Sequence, residues 1–137
     1  MRKVALSLVV LGGLLNGFAE DVDTKYDSLF EKYAKVYNIN KDFIKKVAIL
    51  ESGLNENKIT PLLAHNDTWV GLFQLSSKHH KISNNIDSDK NTDIAVKLMR
   101  DCVNKNGYTI ESINCFNKSY TEDDKKILLA LLKNKVQ

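Results

Sequence analysis

Apolar side chains recur at intervals of three and four residues in four separate segments of the chain, and this period, which belongs to one face of an α-helix, constrains the fold most. Tyr26, Leu29, Phe30, Tyr33 and Tyr37 form the first stripe and predict a helix from Thr24 to Tyr37, with its aromatics in the core. Ile44, Val47 and Ala48 form the second; Asn40 is a suitable N-cap ahead of Lys41, and Gly53 a suitable stop after Ser52. Ala95, Leu98, Met99 and Cys102 place a third helix from Asp93 to Asn106, ended by Gly107. Ile127, Leu128, Leu131 and Leu132 mark the fourth. Its start is expected at Thr121, where a hydroxyl can cap and where Asp123 and Asp124 suit the positive end of the helix dipole. Two shorter helical pieces are expected, at Leu72–Lys78 and at Thr109–Asn117, the latter carrying Ile110, Ile113 and Phe116.

The period fails between Asn55 and Phe73. Pro61, Asn66-Asp67 and Gly71 punctuate that stretch, while Trp69 and Val70 favour extended backbone, so it reads as an irregular lobe with room for a short hairpin. Asn84 to Asn91 reads as polar loop. With 43% hydrophobic and 27% charged residues, no repeat and no Pro/Gly-rich linker, the 137 residues suit one globular domain and exclude disorder, collagen and a long coiled coil.

The first nineteen residues have a different character. Met1-Arg2-Lys3 is basic, Val4 to Leu15 is almost wholly apolar, and Gly17-Phe18-Ala19 offers small side chains at the two positions a signal peptidase reads. We expect residues 1–19 to be a signal peptide cleaved after Ala19, and residues 20–137 to form the domain, in the periplasm or outside the cell. The alternative is an ordinary buried first helix. An apolar run of this length spans only ~18 Å as a helix against a hydrocarbon core of ~30 Å, which argues against a membrane anchor. Loss of Arg2 and Lys3 would bring the net charge of +3 close to neutral, which gives little reason to expect nucleic acid or an anionic membrane as partner.

The residue with the most chemical content is Glu51. One more helical step beyond Ile44, Val47 and Ala48 lands on it, so the pattern points its carboxyl inward. A carboxyl held against apolar neighbours resists ionising, and a general acid needs that protonated form; the competing reading has Glu51 reaching past the stripe to solvent. His65, His79 and His80 lack the spacing that brings two imidazoles onto one ion, so no metal site is expected, and no phosphate loop or nucleophile elbow calls for a cofactor. Cys102 and Cys115 can pair as a disulfide in an oxidising compartment or remain two separately buried thiols.

Glu51-Ser52-Gly53-Leu54-Asn55, followed about twenty residues later by Gly71-Leu72-Phe73-Gln74-Leu75, resembles the Glu-Ser and Gly-Leu-Met-Gln motifs of the lytic transglycosylases of the lysozyme superfamily. Asn91-Thr92-Asp93-Ile94-Ala95 resembles the family's Asn-Ile motif, and Phe116-Asn117 falls where the family has Tyr-Asn. The resemblance covers about Tyr37 to Ser119. It implies a mainly α, lysozyme-like α+β fold, with a glycan cleft between a helical lobe and a small irregular or β-containing lobe.

It also implies cleavage of the bond between N-acetylmuramic acid and N-acetylglucosamine in peptidoglycan without water, with Glu51 as acid and then base and a 1,6-anhydro product. By carry-over, Ser52 would orient Glu51 or a sugar substituent, or else satisfy its own helix end. Gly71 would let the backbone approach the sugars, Gln74 would offer its amide to substrate or to Glu51, and Asn117 would contact substrate or form a turn. Phe116 departs from the family tyrosine and loses the hydroxyl that bonds near the catalytic carboxylate; Tyr120 or Tyr108 could supply one instead. The implied partners are peptidoglycan strands and, by likeness to small specialised members, components of an envelope-spanning secretion apparatus such as the type IV system, with the protein itself a monomer. Three other readings stay open: a hydrolytic muramidase, a non-catalytic peptidoglycan-binding assembly protein, and an unrelated small helical secreted protein.

Overall fold

The computed structural model describes residues 24–136; the expected signal segment lies outside them. Six helices and a three-stranded antiparallel sheet follow one another in the order α1 (Asp27–Tyr37), α2 (Lys41–Ser52), β1 (Ile59–Leu62), β2 (Asp67–Val70), β3 (Leu75–Ser76), α3 (Ser77–His80), α4 (Ser88–Asn106), α5 (Ile110–Phe116) and α6 (Glu122–Lys133). This mostly helical body with one small sheet is the lysozyme-like α+β architecture that the resemblance implied.

The local chemistry explains most boundaries. Asn40 caps α2 by accepting from the backbone N–H of Asp42 at 2.8 Å and of Phe43 at 3.1 Å, and Gly53 closes it in the left-handed region at φ 65°. Thr121 caps α6 by accepting from Asp124 N–H. Helix α1 starts at Asp27 instead of Thr24, because Tyr26 has left the helical region (φ −108°, ψ 8°) and the preceding residues close only a single turn.

Two expectations are corrected. Helix α4 starts at Ser88, five residues before Asp93, because Asp87 accepts from Lys90 N–H at 2.7 Å and caps a first turn whose polar residues conceal it. The helix expected over Leu72–Lys78 does not form. Gly71 (φ 85°) and Gln74 (φ 50°) both take left-handed backbone, so the segment makes a tight turn, then β3, and only then the short helix α3, capped by Ser76. Asn91 holds that turn: its Oδ1 accepts from Phe73 N–H at 2.9 Å and its Nδ2 donates to Val70 C=O at 3.0 Å. A side chain at Gly71 could not coexist with it, since a Cβ there would stand 2.7 Å from Asn91 Cγ.

Phe30, Ile44, Val47, Leu72, Phe73, Met99, Ile113 and Leu128 are buried together in one core drawn from every helix except α3. Tyr26, just ahead of α1, and the two tyrosines within it put their rings against this core and their hydroxyls on carboxylates: Tyr33 donates to Asp89 at 2.9 Å, Tyr37 to Asp93, and Tyr26 to Glu56 at 2.6 Å. These bonds strap α1 to α4 and to the chain leaving α2.

In the small lobe, β2 is central, with Trp69 paired to Thr60 on one side and to Ser76 on the other. Asp67 ties this lobe to α3. Its carboxylate accepts from Ser76 Oγ at 2.6 Å, Thr68 N–H at 2.7 Å and Lys78 N–H at 3.0 Å. The hydroxyl of Ser76, followed by the backbone N–H groups of Lys78 and Thr68, holds the Asp67 carboxyl down at about 2.

At the other end, Cys102 on α4 is joined to Cys115 on α5 by a disulfide with Cα atoms 5.8 Å apart. A helix of seven residues has little stability of its own, so this bond and the hydroxyl of Ser112, which donates to Cys102 C=O, set where α5 lies.

Two outcomes are expected. Closing a loop across a sequence separation of 13 stabilises by about 3 kcal/mol. Thermal melts with and without reductant should therefore show a clear fall in Tm, matched by the double Cys102→Ser, Cys115→Ser variant. For Asp67, the depressed carboxyl contributes stability that is fully present above the ordinary carboxylate range and is lost as pH falls toward about 2. Asp67→Asn should thus flatten the loss of Tm between pH 4 and 2, read by circular dichroism against the parent.

Candidate active site

Glu51 occupies the last turn of α2, where the helix meets the small lobe, and its carboxyl is half-buried. It does not run past the stripe into open solvent. A groove of about 230 Å³ opens beside it, lined on the helical side by Leu98, Phe116 and Asn117 and on the sheet side by Trp69, Gln74, Ser76 and His80. Among the described residues, Glu51 is the one acidic residue that lines it. A larger hollow of about 470 Å³ lies between Asn38, Tyr108 and the segment Leu132–Val136, and among the described residues no Asp or Glu lines it.

Two donors converge on one oxygen of Glu51. Asn117 Nδ2 donates to Oε2 at 2.8 Å, and the Tyr120 hydroxyl donates to the same atom at 2.5 Å. Asn117 is itself fixed, because its Oδ1 accepts from Ser119 N–H at 3.0 Å and Ser119 Oγ at 2.6 Å, which turns its amide nitrogen toward Glu51. Burial, and then the nearby Glu51 charge, push the Tyr120 phenol far above its ordinary value, so it stays a donor. With both donors on Oε2, Oε1 is the oxygen left facing a reacting group, and the two donors suit the carboxylate form. The arrangement suits a group that must first give a proton and then take one.

Phe116, at the end of α5, keeps its ring in the groove wall and against the core. The hydroxyl missing there comes from Tyr120, four residues on, in the loop that leads to Thr121. Tyr108 does not line this groove. The three other expected site residues are in or beside the groove but spend their polar groups within the protein. Ser52 Oγ donates to Ala48 C=O and accepts from Asn55 N–H, so it satisfies its own helix end and does not orient Glu51. Gly71 is buried against Asn91, which is why only glycine fits, and it is not among the residues lining the groove. Gln74 lines the groove, yet its amide nitrogen donates to Lys58 C=O and to Gly71 C=O, each at 3.0 Å, and its Oε1 accepts from Thr60. With both N–H donors used, Gln74 braces the turn and has none left for a glycan.

The other local acids are committed elsewhere. Glu56 accepts from Tyr26 and Ser88, and Asp67 from the start of α3. Among the described residues no group of three or more metal-binding side chains comes together. Sequence reasoning passed over two groups at the site. Lys58 donates through Nζ to the Glu51 carbonyl at 3.0 Å, satisfying an exposed helix end, and Trp69 was read only as a strand former.

Searches of curated proteins and of solved structures returned no match. A family model, the transglycosylase SLT domain, matches residues 28–130, a span that runs from α1 into α6 and includes Glu51, the small lobe, Asn117 and Tyr120. The match covers most of the chain and the whole of the groove, and on that ground the chain belongs to the transglycosylase SLT domain family.

Proposed function

We propose that the protein is a peptidoglycan lytic transglycosylase in which Glu51 serves as both acid and base. The observation that carries this reading is the solitary carboxyl in the groove, with one oxygen clamped by Asn117 and Tyr120. Hydrolytic glycosidases usually place two carboxyls ~5 to 9.5 Å apart across the sugar, one of them to activate water or to attack. Here the other nearby acids are held by their own partners, which supports a mechanism needing one.

In that mechanism the proton on Glu51 Oε1 passes to the glycosidic oxygen as the bond from C1 of the N-acetylmuramoyl residue breaks, releasing N-acetylglucosamine with a free 4-hydroxyl. The C6 hydroxyl of the same muramoyl residue then closes on C1. Glu51, now a carboxylate, takes the C6 hydroxyl proton and returns to its starting state. Every atom of the substrate stays in the two products, and water enters neither. Tyr120 and Asn117 hold the carboxyl in position through both transfers, and Leu98 and Phe116 line the groove wall with apolar surface.

The wall lies outside the cytoplasmic membrane, so this substrate goes with an exported protein, in keeping with the basic, apolar and small-residue order of its first nineteen residues. Local opening of the wall beside an envelope-spanning secretion machine is the corresponding cellular role.

Purified peptidoglycan digested with the protein should yield muropeptides whose masses show 1,6-anhydro ends; reducing ends alone would establish a muramidase. Glu51→Gln should abolish digestion, and equal digestion by this variant would remove Glu51 from the chemistry. Tyr120→Phe keeps the ring and removes one hydrogen bond to a charged group, so kcat should fall about 10- to 100-fold with Tm little changed.

A further inference from the structure

Trp69 is a large apolar side chain with no place in the core. It is 39% exposed, and it belongs neither to the buried cluster nor to the partly buried residues packed against it. Ile59 and Leu63 are also exposed in the small lobe, but they do not line the groove that holds Glu51, and Trp69 does. An indole left half in water at the wall of a concave site is idle surface for folding and usable surface for a ligand.

Its setting adds specificity. Trp69 sits on the central strand with partners on both sides, Thr60 on β1 and Ser76 on β3, so the backbone under the ring is held by pairing along both edges. Directly paired residues of antiparallel strands share a face, which puts the ring among the hydroxyls of Thr60 and Ser76. Both hydroxyls are already used, Thr60 toward Gln74 and Ser76 toward Asp67. The groove wall around the indole therefore offers a flat apolar face inside a polar frame. The His80 ring lines the same groove, edge-on to the ring of His79. Burial lowers its affinity for a proton, which favours the neutral imidazole.

A β-linked N-acetylhexosamine in its chair form has its ring substituents equatorial and its axial C–H bonds pointing to the two faces, so each face is apolar while the rim is polar. That shape matches a flat aromatic ring with polar groups around it. We propose that Trp69 is a stacking platform for one sugar of the glycan strand, holding the strand across the groove so that the bond to be cut lies at Glu51. This assignment rests on the glycan-cleaving reading above and adds to it the residue that grips the substrate.

Trp69 is also the single tryptophan of the chain, so its emission reports on this residue alone. The test uses the protein carrying Glu51→Gln, titrated with a tetrasaccharide of alternating N-acetylglucosamine and N-acetylmuramic acid, with calorimetry and tryptophan emission read in parallel. A saturating blue shift at the calorimetric midpoint is expected. Trp69→Ala should weaken binding by roughly tenfold, Trp69→Phe should retain most of the affinity, and both should melt like the parent. Heat of binding with unchanged emission, or an unchanged affinity in Trp69→Ala, would overturn the platform and leave the glycan reading standing. No heat and no emission change up to millimolar ligand would overturn the glycan reading and the platform with it.

Discussion

The amide of Asn91 is completely buried on the first turns of α4, and both of its ends are satisfied by the Val70–Phe73 turn. An amide buried without partners would cost ~1 to 3 kcal/mol, so helix and turn have to arrive at this spot together. Gly71 lets them do so by leaving room for the side chain, and Gln74 completes the knot by tying the turn back to the segment before β1. The small lobe has no core of its own, its strands being two to four residues long. It stands where it does because the turn joining β2 to β3 is bolted to a helix of the large lobe. The groove exists as the gap between two bodies fixed in this way.

Across that gap, the acid and its partners come from parts of the chain far apart in sequence. Glu51 rides at the end of α2, while Asn117 and Tyr120 lie 66 and 69 residues further along. What aligns them is the shared core beneath α2, α5 and α6, together with the disulfide that pins α5 to α4 one residue before Phe116. The wall opposite is assembled from the sheet, whose register fixes Trp69. A carboxyl, its two donors and the surface facing them are thus each carried by a different structural device: a capped helix, a covalent staple and a paired strand.

How much of this was readable in the amino-acid string depended on range. Helices α1, α2 and α6 follow from spacing, and the caps of α2 and α6 from Asn40, Gly53 and Thr121, all signals that act within a few residues. The start of α4 was hidden because Asn91 and Thr92 look like loop residues unless the partner turn is known, and the false helix at Leu72–Lys78 arose because apolar neighbours outweighed two left-handed residues. The phase of the helix left Glu51 open between inward and solvent-facing, and it was the surrounding motif likeness that singled it out. Motif likeness singled out Ser52, Gly71 and Gln74 without saying what each touches: Ser52 takes the helix-end alternative, Gln74 lines the groove, and the bonds of Gln74 and the packing of Gly71 against Asn91 needed the folded chain to be seen. Nothing short of the folded chain could choose between Tyr108 and Tyr120 as donor, and nothing in a strand pattern marks Trp69 as facing the acid.

The exchange at residue 116 has a wider bearing. A phenyl ring stands at the helix end where the resemblance implied a hydroxyl, and the hydroxyl that meets Glu51 comes from a loop residue four positions later. A reading by fixed offsets from the motif would miss this donor. Judged by which oxygen receives a proton donor, and from where, this chain still presents a hydroxyl to its carboxyl, and the loop ahead of the last helix becomes the place to look for such exchanges.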